Sequence, residues 1–88
     1  MKKFKRLRSV RKSASEQGLI FYSCLCYRNQ PPAVRQKIDN LCESVGGEYA
    51  LALREYMTTL GDWAYICEKH HISASTLDRL RRDFYNRW

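Results

Sequence analysis

Trp63-Ala-Tyr-Ile-Cys-Glu-Lys-His-His-Ile-Ser-Ala-Ser-Thr-Leu-Asp-Arg-Leu-Arg-Arg82 is the stretch whose reading decides the fold. It holds two helical patterns separated by a turn. Thr59, with Asp62 three residues on, predicts a helix start, and the first helix spans Leu60 to His70. Ile66 points inward, and Cys67 is a small residue where a second helix can cross. His70-His-Ile-Ser73 is the turn. His71 takes its left-handed position, Ile72 plugs the core, and Ser73 caps a helix running from Ala74 to about Asn86. Leu77, Leu80 and Phe84 recur at intervals of 3 and 4, so they form one inner stripe. Ser75, Asp78, Arg79 and Arg82 then fall on the outer face.

The pattern continues upstream. Glu48 to Thr58 reads as a helix with Tyr49, Leu53, Tyr56 and Met57 on one side. Gly46-Gly47 ends the helix before it, since glycine takes the left-handed position after a helix freely. That helix starts at the break Asn29-Gln-Pro-Pro32 and carries the stripe Val34, Ile38, Leu41 and Val45. Leu19-Ile-Phe-Tyr-Ser-Cys-Leu-Cys-Tyr27 is almost continuously apolar, and strand and helix look alike at this length. Helix is preferred because no second strand exists to pair with it. Ser13-Ala-Ser-Glu16 fits a capping box at its start. The expected fold is therefore all-α: a small bundle of about five helices ending in a helix-turn-helix. Residues 1–12 are expected to be a disordered basic arm, 13–58 a helical core and candidate dimerisation region, and 59–88 the helix-turn-helix region.

Charge narrows the function. The 88 residues carry a net charge of +7, and 44% of them are apolar, enough for one modest core. Lys2, Lys3, Lys5, Arg6, Arg8, Arg11 and Lys12 precede the first acid, Glu16. The last 20 residues tip positive again, while the middle is balanced. A basic excess at both ends attracts a polyanion, nucleic acid first and anionic lipid second. The apolar run 19–27 is too short to span a bilayer, and no small-residue cleavage site follows it. The expectation is a soluble, cytoplasmic and nucleoid-associated protein without a membrane partner, its four cysteines reduced.

A helix-turn-helix over about 20 residues places its second helix in the major groove of duplex DNA. On that reading Ser75, Asp78, Arg79 and Arg82 are the candidate base contacts. Arginine reads guanine bidentately, and an aspartate accepts from the cytosine amino group. Lys69, Ser73, Thr76 and Arg81 are candidate phosphate contacts, joined by Lys2, Lys3, Lys5, Arg6 and Arg8 of the arm. Bland roles compete with each of these. The arginines also suit a solvated face, Ser73 also suits a cap alone, and the arm also suits a solubilising tail.

His71-Ile-Ser-Ala-Ser-Thr-Leu-Asp-Arg-Leu80 resembles the turn of many bacterial helix-turn-helix regulators. Leu53-Arg-Glu-Tyr-Met57 through Ile66-Cys-Glu-Lys-His-His-Ile-Ser73 and on to Arg81-Arg82 resembles the region-4-type helix-turn-helix of sigma factors. The likeness is greatest to small late-gene and mobile-element regulators of Gram-positive phages. It covers about half of the chain and implies a sequence-specific transcription regulator with double-stranded DNA as partner. Histidine stands at 71 where that pattern has glycine, and Asp78 lies where a phosphate would repel it.

The same residues bear on other classes of function. Cys67-x-x-His70 with Cys24-x-Cys26 has four potential zinc ligands, but residues two apart on a helix point to opposite sides. Neither a metal nor another cofactor is expected. His70 and His71 have no nucleophile or carboxylate constellation beside them, so an enzyme is not expected. The main alternative is a small protein-interaction module that binds RNA polymerase or another regulator through Leu19–Tyr27. A homodimer reconciles the two readings, because paired half-sites multiply the base contacts of one helix-turn-helix.

Overall fold

The computed structural model describes residues 4–59 and 61–88, and no strand occurs among them. Five α-helices follow one another: α1 (Ala14–Leu25), α2 (Pro32–Gly46), α3 (Ala50–Thr58), α4 (Trp63–His70) and α5 (Ala74–Arg87), with short 3-10 turns at Tyr27–Asn29 and Gly47–Tyr49. The apolar run that suited strand or helix is helical in α1 as far as Leu25, and Tyr27 enters the 3-10 turn that follows. Ser13 Oγ accepts the Glu16 amide at 3.1 Å, and the Glu16 carboxylate reaches back to Ser13, closing the expected capping box. Gln17, Ile20, Phe21 and Cys24 form its buried line, while Leu19, Tyr22 and Cys26 face outward.

In α2 the proline pair opens the helix as the sequence implies. Ile38 and Cys42 form its fully buried centre, with Val34, Leu41 and Val45 half-buried around them. Gly47 follows at φ +56° and ψ −122°, a conformation that only glycine adopts without strain. The 3-10 turn takes up Glu48 and Tyr49, so α3 starts two residues later than expected. Ala52, Leu53 and Met57 bury its inner side.

The start of the next helix differs from expectation. Thr59 does not cap α4; it closes α3. Its amide donates to Glu55 O at 3.1 Å, its hydroxyl donates to the same oxygen, and Oγ1 accepts from Gly61. Asp62 is the cap, accepting the Tyr65 amide at 2.8 Å and placing a carboxylate at the positive end of α4. Leu60 lies outside the described residues, and the helix begins at Trp63.

The expectation of a disordered arm also needs correction over residues 4–12. Leu7 and Val10 are buried in the core, and the Phe4 ring lies 5.6 Å from that of Phe21. Gln17 holds this segment: its Oε1 accepts from Leu7 N–H at 2.8 Å, and its Nε2 donates to the carbonyls of Leu7 and Lys12. Phe4, Leu7 and Val10, spaced three apart among the basic residues, supply the segment's apolar side. Lys2 and Lys3 lie outside the described residues.

One core joins residues from the segment before α1 and from all five helices. The Cα radius of gyration is 12.0 Å, matching the value of about 12 Å for a single packed domain of this length. Leu53, fully buried in α3, sits within that core. Leu53→Ala is expected to cost about 3 kcal/mol of unfolding free energy through lost burial and the cavity left behind, measured by urea titration. Gly47→Ala is expected to cost about 1–3 kcal/mol in the same assay, although a Cβ there would meet no neighbouring atom within 4 Å.

Candidate nucleic-acid interface

The unit formed by α4, the turn and α5 is built from the turn outward. His71 adopts the left-handed conformation, φ 53° and ψ 45°, the sole non-glycine with positive φ among the described residues. This reverses the chain directly after α4, and the amides of His71 and Ile72 both return to the Cys67 carbonyl. Ile72 is buried as the plug. Ser73 Oγ accepts the Thr76 amide at 3.2 Å and donates to the Thr76 hydroxyl at 2.7 Å. Ser73 therefore caps α5, and the Thr76 hydroxyl is tied to it.

From there α5 is two-sided. Leu77, Leu80, Phe84 and Tyr85 are buried. Ser75, Arg79, Arg82 and Asn86, at intervals of 4, 3 and 4, form the opposite line. Ser75, Arg79 and Asn86 are exposed and Arg82 is half-buried. The Arg79 side chain makes no hydrogen bond or ion pair among the described residues.

The remaining candidates are engaged. Asp78 accepts Arg82 Nε at 2.9 Å and also pairs with Arg81. Burial pushes the Asp78 carboxyl up, but the hydrogen bonds from Arg82 and Arg81 outweigh it and hold the group below its ordinary value. Arg81 turns toward α3 and α4: its guanidinium stacks 4.9 Å from the Trp63 ring centroid and reaches the Tyr56 hydroxyl. Lys69 donates to Glu55 at 2.8 Å, and His70 Nε2 lies 3.1 Å from the same oxygen. Those two bonds, Lys69 first, hold the Glu55 carboxyl below its ordinary range.

Lys5, Arg6 and Arg8 are exposed on the segment before α1. That segment meets α5: Arg82 Nη1 donates to Ser9 Oγ at 2.9 Å, and the Arg11 amide donates to Asn86 Oδ1 at 2.9 Å. The structure thus brings together Ser75, Arg79, Arg82, the capped start of α5 and the segment around Ser9. It commits Lys69 and Arg81 to internal ion pairs. Arg11, Gln17 and Asn86 escaped the sequence reading. For Gln17 the available signal was a polar residue on the buried line 17, 20, 21, 24.

Comparison with known proteins returns no matching family model, curated protein or solved structure. The residues therefore carry the functional argument. Cys24 is buried, Cys26 is exposed just past the end of α1, and Cys67 is half-buried. The described residues include no cluster of three or more His, Cys, Asp or Glu able to hold a metal. No helix among them is long and apolar enough to cross a membrane.

His71→Gly is expected to raise stability by up to ~1 kcal/mol, since relief of the left-handed penalty exceeds the extra backbone entropy of glycine. Thermal or urea unfolding measures it. The depressed carboxyl groups set an acid limit. Their contribution is complete above the unfolded values, about pH 4, and is lost as pH falls through the lower folded values. Asp78→Asn should therefore cost a few tenths of a kcal/mol at neutral pH, this being a part-exposed pair, and nothing in strong acid. Melting curves across that range check the convergence.

Proposed function

We propose that the chain is a sequence-specific regulator that binds double-stranded DNA through α4, the His71 turn and α5, used as a helix-turn-helix. The observation that carries this reading is the outer line of α5, whose exposed N-terminal half presents Ser75 and the uncommitted Arg79 beside a serine-capped helix start. In such a unit the first turns of the second helix reach the base edges. Arg79 is the reader, a bidentate donor to guanine. Ser75 and the first α5 amides receive a phosphate at the groove edge, while Ser73 holds the helix start as its cap. Arg82 reads or grips from a position set by Asp78, which acts as its orienting partner and not as an acceptor for cytosine. The type of regulator is the one the sequence resembles, a small phage or mobile-element protein with a sigma-region-4-like unit. It works without a cofactor, acts by binding and not by catalysis, and functions in the cytoplasm on the nucleoid.

One observation favours a second reading. Leu19 and Tyr22 are 65% and 57% exposed and share the outward side of α1 with Cys26. That side suits a protein partner such as RNA polymerase, or a second copy of the chain, whether or not α5 reads bases.

Random-pool selection with purified protein, followed by competition between selected and random duplex, tests the proposal. Wild type is expected to prefer the selected duplex, with affinity falling steeply as salt rises. Arg79→Ala is expected to lose about 1–3 kcal/mol of discrimination at one base position. Equal binding of all duplexes by wild type, or unchanged selectivity in Arg79→Ala, would sink the readout assignment.

A further inference from the structure

A strip of positive charge lies before α1, and one buried side chain sets its place on the fold. Gln17 is fully buried, and its amide is bonded entirely to the chain ahead of the helix, to Leu7 N–H, Leu7 O and Lys12 O. Leu7 and Val10 enter the core on either side of a turn at Arg8 and Ser9. Lys5, Arg6, Arg8 and Arg11 are all exposed, and no acid occurs before Glu16.

This strip runs beside α5. Its two bonds to that helix go to Arg82 and Asn86, the C-terminal half of the line Ser75, Arg79, Arg82, Asn86. The N-terminal half, with Ser75 and Arg79, stays open. A helix that inserts its first turns into a major groove leaves its later turns near the groove edge, where a phosphodiester backbone passes. Cations already fixed at that edge lose less conformational freedom on binding than cations on a free tail.

We infer that residues 5–11 are a second, preformed phosphodiester-binding strip for the same duplex, with Arg8 and Arg11 beside α5 and Gln17 as the residue that positions them. The inference rests on the reading of α5 given above. The strip contributes affinity and no sequence information, because phosphate contacts are the same for every sequence. It also assigns Gln17 a part in DNA binding that needs no contact with DNA.

The test is equilibrium binding of the full chain to the selected duplex and to a random duplex across a potassium chloride series. Arg8→Ala/Arg11→Ala is expected to reduce the slope of log affinity against log salt by about 2 on both duplexes, with the ratio between them unchanged. Gln17→Met removes no charge and keeps the side-chain length. It is expected to weaken both duplexes by about tenfold while helix content by circular dichroism holds. Should Gln17→Met lose its helix content, the arginine pair decides alone, since both side chains are exposed. An unchanged slope in the arginine pair overturns the strip. Tighter binding by either variant also overturns it, because the segment then covers the reading face. If Arg79→Ala loses selectivity while the arginine pair is silent, only the strip has failed. If wild type retains no duplex at low salt, the reading of α5 has failed with it.

Discussion

The burial of α3 is the constraint on which the rest of the arrangement depends. It is nine residues long and packs against α1, α2, α4 and α5 alike. Its inner residues are buried: Ala52 allows close approach, while Leu53 and Met57 fill the centre. The outer residues of α3 then orient the unit of α4, the turn and α5. Glu55 takes Lys69 and His70 from α4. Tyr56 meets the Trp63 ring edge-on at 5.1 Å and receives Arg81 from α5. Apolar packing sets where α4 and α5 lie, and these polar contacts set how they are turned.

Cations in this molecule differ in what they can offer a ligand. A net charge of +7 counts them equally. In the folded chain Arg54 is held by Asp39 and the Tyr27 hydroxyl, and Lys37 sits 4.2 Å above the Trp88 ring. Arg81, Arg82 and Lys69 also have internal partners, whereas Arg79 and the arginines of the first segment stay open to solvent. Cysteine chemistry is divided in the same way. Burial, with Asp39 adding to it, pushes the Cys42 thiol up to about 12, so it is inert at neutral pH while Cys26 stands exposed.

Local chemistry was legible in the sequence; partners far apart along the chain were not. The Ser13–Glu16 box, the proline start, the Gly47 stop, the left-handed His71, the Ile72 plug and the Ser73 cap each depend on a few neighbouring residues, and each is present. Thr59 misled because threonine suits a helix start and also closes a preceding helix by bonding back to its carbonyl. The outer face of α5 followed from periodicity, yet periodicity says nothing about ion pairing. Periodicity alone therefore puts Asp78 against a base, whereas it faces two arginines. The ordering of the first segment depends on Gln17 and Asn86, and a glutamine or asparagine carries no sequence mark of what it will bond.

The bonds from Ser9 and Arg11 to α5 span 73 and 75 residues. Contacts so distant in sequence form slowly, because most of the chain must first be brought into place. The capping box and the His71 turn close over a few residues and need no such wait. The clasp between the two ends of the chain therefore carries a larger loop-closure cost than any of the caps. During synthesis the first segment emerges long before the helix it docks on exists. Until α5 is complete, Ser9 and the Arg11 amide lack the partners they hold in the folded chain.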